Sequence, residues 1–585
     1  MKQQLTLSIV GSGGDGAVAA GDILSMACAR QGLHIIKTEA YGPQIRGGES
    51  SCTVRMSSSP IYAQADAIDA LVVFSWADFA RFRNELVIGP EAVVLHDSDD
   101  PAPDEIASSP GRKIVGIPFA KLAKEVGAPN GKNILSLGVV SAVFGLPADA
   151  IRNALKNRFK KKTAAVVEAN LKAFEAGLTA GAALSVGDQR LQYTPGTPML
   201  LMAGNEASAV GAVDAGCRFF AGYPITPSSE ILHFMSEWLP RIGGTCLQTE
   251  DELAAIGAVV GGSFAGVKSM TSTSGPGLSL MSEMLGLSAM AEIPAVVVNV
   301  QRGGPSTGLP TKSEQSDLMH AVYGGHGDMP RAVIAPVDVE DSYHATVEAF
   351  NIAEEFQMPV IVLTDQSIAQ RRETLAADSL VHEVVDRRIA TPEELNEYRR
   401  YRLTATGVSP MAIPGMPGGM YQTNGLEHDE QGRPSSMFVM HEKMNAKRYS
   451  KLDALAKKYR LFRRYGPEKA DLGIICYGSS MGPVREALDQ LAAEGLRVAA
   501  FVPRLIMPLP AADLERFISD CDQILVLELT YAAQLYQYLR AQVDLPRGKT
   551  HKFSRSGGRS LGINEVIEQV KRVLVPSHQV EEVLA

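Results

Sequence analysis

The sequence predicts a multidomain α/β protein, and three observations predict it. The chain has 585 residues, more than one hydrophobic core normally serves, and domains of roughly 100–200 residues imply three or four units. Strand-like apolar runs alternate with helix-like ones along most of its length. Turns rich in Gly, Pro, Ser and Thr separate them.

The elements follow in order. Residues 1–185 open with the strand LTLSIV, a helix over Ala17–Gln31, then LHIIKTEAYG, SCTVRM, ALVVFSW and AVVLHD, and close with a helix over Asn170–Leu184. Residues 186–198 read as a polar linker. A second α/β unit spans 199–370, with strands RFFAGYP, VKSMTST, PAVVVNVQ and PVIVLTD. Residues 371–467 are charged, then loop-like through SPMAIPGMPGGMYQTNGLEHDEQG, and a loop that long is usually functional or interfacial. A last α/β unit, 468–585, carries DLGIICYGSS, RVAAFVPRL and QILVLEL.

Composition narrows the function. A net charge of −9 leaves no basic excess for nucleic acid. The amino-terminal MKQQLTLSIVGSGGDG lacks a signal-peptide pattern, and no run approaches the roughly 18 apolar residues of a membrane helix, so a cytoplasmic protein is expected. Six cysteines stand singly with no C-x-x-C pair, which argues against an iron–sulfur cluster or zinc site built by this chain alone.

GSGGDG, Gly11 to Gly16, lies between a strand and a helix. Such a turn brings backbone N–H groups toward a phosphate; it is equally a tight turn with no ligand. Gly14-Asp15-Gly16 could pass for half of a metal–diphosphate motif, but the Asn expected 25 to 30 residues later is missing, the first being Asn84, and half a magnesium shell is not a site. Arg46, in the flexible YGPQIRGGE loop, suits carboxylate recognition or is a solvated charge. In GYPITPSSE, Thr226 before Pro227 reads as a helix cap whose free N–H groups could meet a substrate carboxylate, or as an ordinary cap. Glu250, Asp251 and Glu252 open an apolar helix, where acidic residues are commonly dipole partners only. Three Gly/Ser/Thr-rich turns, those of QTEDELAAIGAV, TSTSGPG and QRGGPSTGLPT, follow strands of one sheet, where open α/β sheets gather ligands.

GNEASAVGA (204–212), GYPITPSSE (222–230), QTEDELAAIGAV (248–259), TSTSGPG (271–277) and QRGGPSTGLPT (301–311) together resemble the α subunit of 2-oxoacid:ferredoxin oxidoreductases. GSGGDGAVAAGDIL with AYGPQIRGGE resembles that family's γ domain, here fused ahead of α. The resemblance implies a γ-type domain, a pyrimidine-binding domain for thiamine diphosphate and a transketolase C-terminal-like domain. It implies that Glu252 contacts the aminopyrimidine ring and promotes its imino tautomer, Glu250 being the fallback, with Tyr223, Pro224 and Ile225 also at the cofactor. It implies that Thr226, Arg302 and Thr311 contact the substrate, with Arg46 assigned to a distal carboxylate. Thiamine diphosphate with Mg2+ would be shared with a smaller β subunit that carries the diphosphate motif and a [4Fe–4S] cluster, in an (αβ)2 assembly, with coenzyme A as cosubstrate and ferredoxin as acceptor. The expected substrate is 2-oxoglutarate, and pyruvate or a broad 2-oxo acid range is the alternative. A dinucleotide-binding electron-transfer protein and a catalytically silent scaffold are the rivals from other classes. The GLEHDEQG loop, with His428, is expected at an interface.

Overall fold

Period-two patterning organises the first sheet. In the strand Gln4–Ser12 the residues Leu5, Leu7 and Ile9 are buried on one face, and antiparallel pairing sets Leu7 opposite Val54 and Ile9 opposite Cys52. The same strand pairs in parallel with Ile68–Val73, so the sheet is mixed. Its order is Lys113–Ile117, Ile88–Asp97, Ile68–Val73, Gln4–Ser12, Glu49–Ser57, His34–Tyr41, Arg372–Leu375, Leu200–Ala203. The structure, a computed structural model, describes residues 2–42 and 48–574. The chain divides into two units, Met1–Met202 with Arg371–Ser379, and Ala203–Gln370 with Leu380–Ala585.

In the first unit the helix Ala17–Ala29 follows the GSGGDG turn, as the pattern predicts. The closing helix starts earlier than expected, at Ala164, and runs to Ala182. The helix Lys132–Phe144 was not singled out. It is buried on nearly every side, so it carries no amphipathic signal. Its backbone touches that of the closing helix: a Cβ at Gly177 would lie 2.0 Å from the Leu135 carbonyl oxygen, and one at Gly138 2.2 Å from that of Phe174. Residues 186–198 form no free tether. They run along the first unit, with the Lys2 N–H donating to the Arg190 carbonyl at 2.9 Å, the Gln192 N–H to that of Lys2 at 2.7 Å, and Val186 and Leu191 buried.

The second unit holds two sheets. The larger has the order Leu505–Met507, Ala332–Ile334, Pro359–Asp365, Ala295–Gln301, Ser269–Thr273, Phe219–Gly222, Thr245–Gln248. All its pairs are parallel except the Leu505–Met507 edge. Every residue of Ala295–Gln301 and Pro359–Asp365 is buried, as expected of parallel strands covered on both faces. The smaller sheet has the order Phe462–Tyr465, Val498–Pro503, Ala470–Ile475, Cys521–Glu528, Thr550–Ser554.

The loop 409–432 contains no helix or strand beyond an isolated bridge at Met411 and another at His428, in keeping with its composition. After it comes a 21-residue helix, Phe438–Lys458, in a stretch read only as charged and loop-like. Its inward positions include Lys447, Arg448 and Lys451, so a hydrophobic periodicity could not reveal it.

Candidate functional site

The second unit places its polar turns at the carboxyl-terminal edge of the larger sheet. Gly222 pairs with Gln248, Thr273 with Asn299 and Gln301 with Asp365, so the segments leaving these strands emerge side by side. The Thr249 N–H donates to the Gly222 carbonyl at 3.0 Å, which ties the YPITP turn to the segment that leads into Glu252.

Thr226 is not a helix cap. The helix starts at Ser229 with Ser228 as its cap residue, because the Ser228 N–H and hydroxyl both bond the Ile225 carbonyl, at 2.9 and 3.1 Å, and close a separate turn first. Asn205, of GNEASAVGA, holds that turn from below: its Nδ2 donates to the Pro227 carbonyl at 2.7 Å and to Glu230 Oε2 at 2.9 Å. The result leaves Thr226, Tyr223 and Pro224 exposed and Ile225 half-buried.

The acidic triplet divides its labour. Asp251 caps the helix Glu252–Phe264 by accepting from the Ala254 N–H at 2.7 Å, and Glu250 stays exposed. Glu252 turns inward and is only 5% exposed. Among the described residues nothing donates to its carboxylate. Two glycines of TSTSGPG make room for carboxylates. A Cβ at Gly277 would stand 2.6 Å from Glu252 Oε1 and 2.0 Å from Thr273 Oγ1, and one at Gly275 would stand 2.7 Å from Asp317 Oδ1.

Arg302 and Asp317 complete the edge. Arg302 is buried, donates from Nη1 to the Thr226 carbonyl at 2.5 Å, and has no acceptor for Nε. Burial lowers its guanidinium pKa, and the Asp317 charge opposes that shift. Burial raises the Asp317 carboxyl, against the Asn299 Nδ2 bond at 3.0 Å and the pull of His320 and Arg302. The Asp317 N–H donates to Gln301 Oε1 at 3.1 Å. Ser274 Oγ and Asn299 Oδ1 are buried without a partner. A carboxylate, a guanidinium and two neutral oxygens thus converge with hydrogen-bonding capacity unspent, which marks a place for a polar ligand. Among the described residues no group of three or more His, Cys, Asp or Glu could hold a metal ion.

The 302–317 loop is braced from the smaller sheet's side. The Gln315 Nε2 donates to the Tyr477 carbonyl at 2.7 Å, Gln534 Nε2 to the Ser316 carbonyl at 2.7 Å, and the Gly557 N–H to Glu314 Oε1 at 2.9 Å. Gly308, at φ +54°, is forced by a close approach, since a Cβ there would lie 2.0 Å from the Gly303 carbonyl oxygen. Thr311 is exposed on this loop. Sequence reasoning reached Ser274 only as part of the TSTSGPG turn and passed over Asp317 and Asn299. Asn299 lies inside the strand Ala295–Gln301, and Asp317 meets Gly275 through tertiary folding alone.

Other expectations land elsewhere. In GSGGDG, Asp15 occupies the turn itself: Oδ2 accepts from the Ser12 N–H at 3.0 Å and Oδ1 pairs with Lys132 at 2.7 Å. Glu39, the approximately placed acidic residue that a dinucleotide-binding reading of this turn would use, pairs with Lys37. Arg46 lies outside the described residues. His428 is buried, its Nδ1 bonded to the Leu426 carbonyl at 2.9 Å and its ring 4.1 Å from that of Tyr401, while Met420 and Leu426 of the same loop are exposed. Five of the six cysteines are buried free thiols and Cys246 is half-buried.

Three family models match in succession: pyruvate ferredoxin/flavodoxin oxidoreductase over residues 6–180, the thiamine-diphosphate-binding domain of pyruvate flavodoxin/ferredoxin oxidoreductase over 210–447, and core domain II of pyruvate:ferredoxin oxidoreductase over 470–566. The chain is 31% identical to subunit alpha of 2-oxoacid:ferredoxin oxidoreductase 2 from Aeropyrum pernix, over 97% of this chain and 98% of that one. It is 40% identical to the 2-oxoglutarate synthase subunit KorA of Archaeoglobus fulgidus, over 57% of this chain and 88% of the relative. Among solved structures it resembles the 2-oxoglutarate:ferredoxin oxidoreductase of Magnetococcus marinus, determined with 2-oxoglutarate, coenzyme A and succinyl-CoA bound, at TM-score 0.93 and 39% identity over 98% of this chain and 100% of that one.

Proposed function

This chain belongs to the 2-oxoacid:ferredoxin oxidoreductase family, and on that premise we propose that it is the large, γ-fused α subunit of a 2-oxoglutarate:ferredoxin oxidoreductase. The reaction takes 2-oxoglutarate and coenzyme A to succinyl-CoA and carbon dioxide and sends two electrons to ferredoxin. The observation that carries the reading is the buried Glu252 carboxylate, which the described residues leave without a donor, on the sheet edge that also holds the underused Arg302.

When bound, thiamine diphosphate supplies the carbon nucleophile and electron sink that loss of carbon dioxide from a 2-oxo acid requires. Glu252 fits the ring nitrogen of its aminopyrimidine: a largely buried carboxylate would hold a proton on that nitrogen and gain the hydrogen bond that the described residues do not give it. Arg302 presents a guanidinium to the substrate carboxylate, and the Thr226 and Thr311 hydroxyls stand on the same edge to add neutral donors. The Asp317 charge favours the charged form of Arg302, the Thr226 carbonyl orients it, and Asn299 and the room left by Gly275 hold Asp317 in place. Tyr223, Pro224 and Ile225 form the rim.

The diphosphate–magnesium shell and a [4Fe–4S] cluster belong in this reading to a smaller partner subunit, two copies of each chain forming the enzyme. Six singly spaced cysteines, five of them buried, support that division. Among the described residues no helix is long and apolar enough to cross a membrane, and we place the enzyme in the cytoplasm. The family's 2-oxoglutarate-using members favour that substrate over pyruvate.

The test is anaerobic viologen reduction by this chain copurified with its native partner, offered 2-oxoglutarate or pyruvate with and without coenzyme A. Reduction that requires both 2-oxoglutarate and coenzyme A is expected. Preference for pyruvate discards the substrate, and no reduction by a complex holding cofactor and cluster discards the enzyme.

A further inference from the structure

Arg331 is a buried cation with no partner among the described residues. It is 5% exposed, its Nε is enclosed without an acceptor, and among the described residues its guanidinium makes no hydrogen bond or ion pair. Burial pulls its pKa down to about 10, with the Tyr449 hydroxyl acting the other way. A buried guanidinium is normally paired, since the protein cannot offset its lost hydration otherwise.

Arg331 immediately precedes the strand Ala332–Ile334, which runs parallel to Pro359–Asp365. It therefore sits at the amino-terminal edge of the larger sheet, opposite the edge that carries Glu252 and Arg302. Its cover is the glycine-rich loop YGGHGDMP. Gly325 adopts φ +119°, and a Cβ there would lie 3.5 Å from Arg331 Nη2 and 2.5 Å from the Met329 Cε. The outer side of the loop is open: a Cβ on Gly327 would meet nothing within 4 Å. Tyr323 and Tyr449 are large exposed aromatics, at 51% and 38%. Tyr323 begins the loop, and Tyr449 lies within electrostatic range of both Arg331 and Asp328.

We propose that this pit receives a carboxylate side chain of the partner subunit, with Arg331 as its guanidinium anchor. The charge asks for an anion, and one planar fork suits one carboxylate, whereas a doubly charged phosphate calls for a second cationic group. An arginine with Tyr449 in electrostatic range, and with the exposed Tyr323 at the start of the loop that covers it, has the composition of a protein interface centre. The loop's own Asp328 is exposed and makes no ion pair with Arg331. The proposal rests on the reading that this chain works with a separate subunit, but not on the substrate.

The experiment compares the full chain with Arg331→Met and Arg331→Lys in two measurements: the unfolding midpoint of the chain alone, and its affinity for the partner subunit. Methionine removes an uncompensated buried charge. The midpoint of the isolated chain should hold or rise, while partner affinity falls at least tenfold for Met and severalfold for Lys. Turnover at saturating partner should stay within twofold of the parent. A lower midpoint with unchanged affinity would overturn the proposal and make Arg331 a structural residue. Loss of self-association without loss of partner affinity would overturn it in favour of a second copy of this chain. A parent complex that assembles but turns over no 2-oxo acid would defeat the functional reading and leave the affinity comparison standing.

Discussion

The two edges of the seven-stranded sheet bury charge in opposite ways. At the carboxyl-terminal edge, Glu252 has no donor among the described residues and Arg302, Ser274 and Asn299 each keep an unpaired polar atom. At the amino-terminal edge, Glu292 is fully buried yet held by Lys447 at 2.6 Å and Lys451 at 2.5 Å, and Arg400 Nη2 bonds its backbone carbonyl at 2.6 Å. Burial acts to raise the Glu292 carboxyl, and the pull of Lys447, Lys451 and Arg400 overcomes it and holds the group well below the usual carboxylate range. The contrast teaches where to look for function: charge that neighbours satisfy is architecture, and charge that they leave unsatisfied awaits a ligand. On that edge Arg400 also leaves Nε and Nη1 without a partner but bonds through Nη2, whereas Arg331 makes no bond to any described residue and so has the second character on the first kind of edge.

The largest expected effect lies at the unsatisfied edge. Glu252→Gln should lower turnover by about a thousandfold, the middle of the range that one acid–base group contributes, and should leave the unfolding midpoint unchanged or raised. Equal loss of turnover and stability would erase the distinction. At the satisfied edge the pattern reverses. Lys447→Met leaves the buried Glu292 carboxylate with Lys451 as its one remaining lysine and should destabilise the chain by about 3 kcal/mol, read as a lowered denaturation midpoint, while turnover of the folded enzyme stays near the parent's.

Arg302→Lys sharpens the comparison further. It keeps the charge and loses the fork, so kcat/KM for the 2-oxo acid should fall about thirtyfold, near 2 kcal/mol, with stability unchanged. The smallest effect is in pH dependence. Burial pushes Lys451 down to about 7, against the attraction of Glu292, from an ordinary value of 10.5. Between those values the unfolded chain binds the proton that the folded chain has shed, so this group's contribution to stability rises with pH across that window and is least below it. From pH 7 to 8 the parent should gain up to about 1 kcal/mol relative to Lys451→Met, measured by denaturant unfolding at each pH.

The strands were legible in the sequence because their cause is local: PAVVVNVQ and PVIVLTD are unbroken apolar runs and became fully buried parallel strands. The fully buried helix Lys132–Phe144 and the connector helix Phe438–Lys458 were not, one lacking a polar face and the other burying lysine and arginine. The site shows the same division. Glu252, Arg302 and Thr226 stand in recognisable motifs, and the structure sets them along one sheet edge. The cap expected at Thr226 failed because Ser228 spends its N–H on a turn before the helix begins. Asp317 had no local signal at all, since its place is defined by Gly275, 42 positions earlier in the chain.

If the unsatisfied carboxylate is kept for the cofactor, adding thiamine diphosphate and Mg2+ to the assembled complex raises the unfolding midpoint through Glu252. The parent and Arg302→Lys should show the same rise, because Arg302 serves the substrate, and Glu252→Gln should lose most of it. An undiminished rise in Glu252→Gln would contradict the claim.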